Sequence, residues 1–171
     1  MRSKFLLLVI PFFTTFVFSS CLYKNTDKPQ TYEEEMLLLA KHIKYISEER
    51  VPPATVHKTE LGVYYWVIKQ PASVNGTFPE IGDTLTIKYN GYLIDGTLFA
   101  TTDGKEHDFV LGKENVIQGW NDGMKVIEKG SEVQLIIPSP LGFGSKGNTL
   151  VPPNNTLIYE ITMVNIKKKK N

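Results

Sequence analysis

Val116-Ile117-Gln118-Gly119-Trp120 is the stretch that decides the fold. Two β-branched residues lead into a polar residue, a glycine and an indole. That pattern predicts an apolar turn followed by a short helix, with Trp120 in its first turn. Two later segments belong with it: Gly142-Phe143-Gly144 and Val151-Pro152-Pro153. They bracket a loop with glycine hinges and a proline pair at its end. An aromatic floor beneath a hinged rim suits a small apolar ring. It does not suit a nucleotide or a metal ion.

Outward from this stretch, the chain reads as strands. Leu85, Ile87 and Tyr89 alternate with Thr84, Thr86 and Lys88, the signature of a strand with one buried face. After Asn90-Gly91 come Tyr92, Leu93 and Ile94, and then Asp95-Gly96, a two-residue turn signal. Leu98 and Phe99 resume the apolar pattern, and Phe109 to Leu111 forms another short strand. Gln118 to Ile127 is predicted as one helix ending near Lys129-Gly130. Val133, Leu135 and Ile137 alternate, as do Leu157, Tyr159, Ile161 and Met163 within a last strand over Thr156–Ile166. Many strands and one short helix predict an α+β fold, a curved antiparallel β-sheet wrapped around that helix.

Upstream, Thr31 and Glu34 fit a capping box, and Glu33, Glu34 and Glu35 put negative charge at a helix start. Met36, Leu39, Ile43 and Ile46 form an apolar stripe, widened by Leu37, Leu38 and Ala40. Pro52-Pro53 stops the helix. The stripe covers something: either the domain itself or, as the alternative, a dimer seam or partner. Leu61 to Lys69 reads as a strand, and Pro71, Asn75, Gly76 and Pro79 as the loop after it. His42, His57 and His107 are isolated, without metal-ligand spacing, and receive no role.

Residues 1–20 read as a signal peptide: Arg2 and Lys4, an apolar run from Phe5 to Phe18 broken by Pro11, then Ser19 and Ser20. The run is short for a membrane span. Cys21 is the only cysteine, which excludes an internal disulfide. At this junction it resembles the lipidation cysteine of bacterial lipoproteins, although Phe18 stands where an aliphatic residue is usual. The alternative is a plain signal peptide. Residues 21–30 read as a polar tether, 31–79 as a helix-strand extension, 80–168 as the main domain and 169–171 as a basic tail. The lysines at that end are read as solvated. A formal net charge of +1 carries no bias toward nucleic acid.

The residues from Gly82 to Ile166 resemble the FKBP-type peptidyl-prolyl isomerases. The resemblance rests on Gly82-Asp83-Thr84, Tyr89-Asn90-Gly91-Tyr92, Asp95-Gly96-Thr97-Leu98-Phe99, Val116–Trp120, and the run from Gly142 through Pro153 to Tyr159. Their order and spacing are specific together. The resemblance implies a prolyl-peptide pocket that needs no cofactor and no metal. Tyr89, Phe99, Ile117, Trp120 and Phe143 would act on the amide. Trp120 would be the floor, and the Ile117 N–H would bind a substrate carbonyl. Phe109, Val116 and Tyr159 would hold the rest of the substrate as walls, with Leu150 and Val151 on the rim loop. Partners would be proline-containing polypeptides, and, through a lipid on Cys21, a membrane of the cell envelope.

Two positions depart from the family pattern. Ala100 stands where an aspartate normally follows the phenylalanine, and Phe143 where a tyrosine is usual. Asp103 is a candidate substitute for the missing carboxylate. The departures keep open a second reading, a non-catalytic proline-peptide-binding or chaperone module.

Overall fold

The computed structural model describes residues 31–72 and 76–170. The expectations for the signal peptide, Cys21 and its tether lie outside them. α1 (Tyr32–Lys44) runs into a single π turn at Tyr45–Glu49. Seven strands follow: β1 (His57–Lys58), β2 (Tyr64–Lys69), β3 (Thr84–Leu93), β4 (Leu98–Thr101), β5 (His107–Val110), β6 (Glu132–Ile137) and β7 (Leu157–Lys167). α2 (Gln118–Met124) lies between β5 and β6. All pairings are antiparallel, in the order β1-β2-β6-β7-β3-β4. β5 pairs with the first half of β3 and β4 with its second half. This is the α+β architecture that the alternation implies.

One sheet face packs on α2. Leu85, Ile87, Leu135, Leu157, Ile161 and Met163 are fully buried there with Met124 and Ile127. The other face is covered as well. Ile136 and Ile158 meet Trp66, Leu39 and Ile46 in a second cluster, with Met36 and Ile43 packed against it. The α1 stripe therefore lies on the outside of this same sheet. β6 is buried on both faces for that reason, which strict alternation of Val133, Leu135 and Ile137 does not reveal.

Four local differences from the sequence reading have physical causes. β2 begins at Tyr64 rather than Leu61, because Gly62 has φ +111 and the Thr59 hydroxyl caps a turn, accepting from the N–H groups of Gly62 and Val63. α2 stops at Met124, and the chain tightens into i→i+3 bonds such as Ile127 N–H to Met124 O. Leu37 is 72% exposed and does not widen the stripe. His42, given no role by the sequence, is partly buried against the sheet, with the Gln134 side-chain oxygen on β6 3.2 Å from its Nε2. Burial pushes its imidazole pKa down, partly opposed by that hydrogen bond.

The start of α1 carries both capping bonds, Glu34 N–H to the Thr31 hydroxyl and Thr31 N–H to the Glu34 carboxylate. Such a cap stabilises a helix by about 1 kcal/mol. At the other end, the lysine tail is tied down. Lys168 Nζ lies 3.1 Å from the buried Asp83 carboxylate and 3.4 Å from Glu80, and the Lys169 N–H donates to Asp83.

Candidate active site

The site begins with a close approach that only glycine permits. A Cβ on Gly119 would lie 2.3 Å from Ile137 Cγ2 and 3.1 Å from the Leu141 carbonyl oxygen. Without one, the first turn of α2 sits directly against β6 and the turn that follows it. Trp120 is thereby driven under the sheet, 7% exposed. Ile117 precedes the helix in extended geometry, φ −61 and ψ 150. Its N–H stands outside the helical ladder.

Three rings meet the Trp120 indole. Tyr159 from β7 contacts it edge-on at 4.7 Å between centroids, Tyr89 from β3 at 5.2 Å, and Phe109 from β5 at 6.0 Å. Edge-to-face pairs contribute about 0.5–1.5 kcal/mol each beyond the area they bury. Tyr89 is fixed by a two-way backbone contact: its N–H donates to the Thr102 hydroxyl and its carbonyl accepts from the Thr102 N–H. Opposite, the 111–117 loop is pinned by the Glu114 carboxylate, which accepts from the Val110 N–H, and by the Asn121 side chain, which accepts from the Gly112 N–H.

These elements enclose an open cavity of about 250 Å³. Seven residues singled out in the sequence line it: Tyr89, Phe109, Val116, Ile117, Trp120, Phe143 and Tyr159. Three others expected there do not. Phe99 stands behind Tyr159, edge-on at 5.5 Å, and supports that ring from outside the cavity. Val151 is 1% exposed and belongs to the core beneath the rim, whereas Leu150 is 65% exposed to solvent. The Asn148 side chain explains the split. It accepts from the N–H groups of both Leu150 and Val151, and the Asn148 N–H donates to the Val151 carbonyl, so the loop turns sharply and aims the two side chains apart. Ala100 pairs with Gly91 in the ladder and does not line the cavity, and neither does Asp103, which is exposed in the turn after β4.

The cavity also takes His107, Glu114 and Asn115, which sequence reasoning passed over. For His107 the signal was present: it lies two residues before Phe109 on β5, and residues two apart share a strand face. Among the lining residues, Tyr159 has a strongly altered phenol. Burial, reinforced by the neighbouring Tyr89, pushes its pKa well above the ordinary value of 10.0. It remains a neutral hydroxyl throughout the physiological range. The arrangement can grip a small apolar ring among aromatic edges and offer the Ile117 N–H to a carbonyl at its mouth.

Residues 75–164 match the family model described as FKBP-type peptidyl-prolyl cis-trans isomerase. The chain belongs to the FKBP-type isomerase family. FK506-binding protein 1 of Dictyostelium discoideum is 32% identical over 63% of this chain and 100% of its own length. FkpA of Escherichia coli, an FKBP-type isomerase, is 32% identical over 66% of this chain, and the match covers 40% of FkpA. The crystal structure of that FkpA superposes with a TM-score of 0.61 at 30% identity, covering 80% of this chain and 62% of the other. A Pseudomonas syringae isomerase shares the fold, with a TM-score of 0.63 at 20% identity. The sequence match thus spans less than half the length of FkpA, and Glu35 and the rest of α1 precede the stretch that the FKBP model matches.

Proposed function

We propose that the cavity binds prolyl residues of polypeptide chains and catalyses cis-trans isomerisation of the preceding peptide bond. The observation that carries this reading is the open cavity floored by Trp120 and walled by Tyr89, Phe109 and Tyr159. Rotation about an X–Pro bond must break amide resonance against a barrier of about 18–20 kcal/mol. No covalent intermediate is needed. A catalyst has only to favour the twisted amide over the planar one.

A pocket poor in water disfavours the charge-separated resonance form that keeps the amide flat. The ring would rest on the indole while the acyl side turns. The Ile117 N–H would hold a substrate carbonyl and so fix the chain on one side of the rotating bond. Phe143 on the rim and the neutral Tyr159 hydroxyl would complete the enclosure.

The exported setting is part of the proposal. It rests on the charged start, the apolar run and the single Cys21, which together suit a chain anchored to a membrane of the cell envelope by an N-terminal lipid. Clients would then be exported proteins with slow X–Pro bonds. A second reading, a binding or chaperone module without turnover, is motivated by Ala100 and Phe143, which leave the site without two polar groups usual in the family.

A prolyl-peptide isomerisation assay on the purified full-length chain separates the two. Acceleration over the uncatalysed rate that disappears in Trp120→Ala supports the enzyme. Absence of acceleration, together with Trp120-dependent binding of proline peptides, would favour the binding module.

A further inference from the structure

α1 carries a carboxylate that the proposed mechanism does not use. Glu35 is fully buried. Its Oε1 accepts from the Ser139 N–H and from the Thr156 hydroxyl, each at 2.7 Å, and its Oε2 accepts from the Ser139 hydroxyl. A buried carboxylate persists only where donors of this kind surround it. Ser139 and Thr156 are themselves buried, and they stand at the two stems of the loop that joins β6 to β7.

From Ser139 the contacts lead straight to the cavity. The Ser139 carbonyl accepts from the N–H groups of Gly142 and Gly144, at 2.9 and 2.8 Å, and these two glycines flank Phe143. The Gly144 carbonyl in turn accepts from the Asn154 N–H, closing the loop back toward Thr156. One side chain of α1 therefore holds the base of the loop that presents Phe143.

We infer that Glu35 is a positioning residue for the prolyl-binding site: docked α1 sets the rim loop, and a chain whose α1 lifts from the sheet has a looser, less active site. The inference rests on the isomerase reading proposed above. Glu35 touches no substrate. It acts through Ser139 on the backbone around Phe143.

The test uses the full-length chain, with two readouts: kcat/KM on a prolyl peptide, and hydrogen exchange of the Ser139, Gly142 and Gly144 amides. Glu35→Ala is expected to lower kcat/KM by roughly three- to thirtyfold, the range that coupling through positioned residues spans. It should also accelerate exchange at these three amides. Glu35→Gln keeps one acceptor oxygen and should restore part of both. Ile46→Val, which trims the packing of the π turn that continues α1 and leaves the carboxylate in place, should leave kcat/KM unchanged. If Glu35→Ala does not fold, Thr156→Val and Ser139→Ala each remove one hydroxyl donor and should shift both readouts in the same direction. Wild-type kcat/KM and wild-type exchange in the Glu35 or Thr156 variants would overturn the inference. Should the wild-type chain prove inactive, the isomerase reading fails while amide exchange still decides whether Glu35 orders the loop.

Discussion

The indole of Trp120 and the phenol ring of Tyr159 meet edge-on, 4.7 Å apart and inclined at 73°. One comes from the first turn of α2 and the other from the start of β7, so this contact ties the helix to the sheet at the floor of the cavity. Phe99 buttresses Tyr159 from behind and Tyr89 touches both rings. The site is thus a set of mutually supporting rings, and a change in one is felt by the others.

Replacing Trp120 tests the floor. Trp120→Ala removes three ring contacts and leaves a void, and should cost about 3–5 kcal/mol of stability. Trp120→Leu retains more volume and should remain folded, while kcat/KM for a prolyl peptide falls by about ten- to a hundredfold as the ring contacts are lost. Denaturant midpoints beside peptide kinetics separate the two effects. A folded Trp120→Leu variant with full activity would remove the indole from the mechanism.

Gly91 tests the wall behind it. A Cβ there would sit 2.7 Å from Tyr159 Cε1 and 3.2 Å from Phe99 Cζ. Gly91→Ala must push the Tyr159 ring toward the cavity or open the β3–β7 ladder. We expect a loss of about 1–3 kcal/mol in stability, typical of an overpacked site. Peptide affinity should fall in parallel, and a fluorescence titration of proline-peptide binding would measure it.

The buried Tyr159 phenol predicts alkaline behaviour. Its pKa is raised by burial and by Tyr89, so the native state holds the proton more tightly than the unfolded chain does. Below pH 10.0 both states are protonated and the stabilisation is complete. Above it the unfolded chain releases the proton first, and stability falls as pH rises toward the native value. Tyr159→Phe should remove this alkaline loss. Thermal melts of both proteins between pH 9 and about 11 would show it as converging curves.

How legible was this from the chain itself? The strands of the main sheet followed from period-two alternation, because Leu85 and Ile87 face a single core. The short helix and its tryptophan followed from the glycine beside them. Glu35 was not legible: it stands among three consecutive glutamates, and a helix-start charge and a buried clamp look identical until the sheet beneath α1 is known. Leu150 and Val151 were read as a pair on the rim, yet the Asn148 turn sends one outward and the other into the core. Side-chain direction in loops depends on such local bonds, which composition does not encode. His107 receives no role from the sequence because a lone histidine carries no motif, although its spacing from Phe109 already places it on the cavity face.

Acid should loosen the far end of the sheet. Burial alone would raise the Asp83 pKa, but hydrogen bonds from the Glu80 and Lys169 N–H groups and from Lys168, with the charge of Lys168, outweigh it and hold the carboxyl below its ordinary 3.8. The stabilisation is complete above 3.8 and erodes as pH falls from there through the lower native value. Asp83→Asn should cost about 1–3 kcal/mol at neutral pH, since Asn keeps one acceptor oxygen and leaves one of the two partly buried N–H groups, Glu80 or Lys169, without its partner. Its acid unfolding limb should also be flatter than that of the wild type. Urea unfolding at several pH values would test both.

Phe143 lines the cavity from the rim loop, where the family pattern has a tyrosine. Its backbone is held by the bonds from Gly142 and Gly144 to the Ser139 carbonyl, so a ring of the same shape with one added hydroxyl should keep its place. The half-buried ring leaves room for that oxygen to be solvated or to meet the substrate. A net hydrogen bond contributes about 0.5–1.5 kcal/mol, so Phe143→Tyr should raise kcat/KM by up to about tenfold with little change in stability. The gain should depend on Glu35: in the Glu35→Ala background, a loop no longer held at Ser139 would present the hydroxyl less often, and the increment should shrink. An equal increment in both backgrounds would show that the rim presents residue 143 correctly without help from α1. No increment in either would show that this ring does not face the reacting amide.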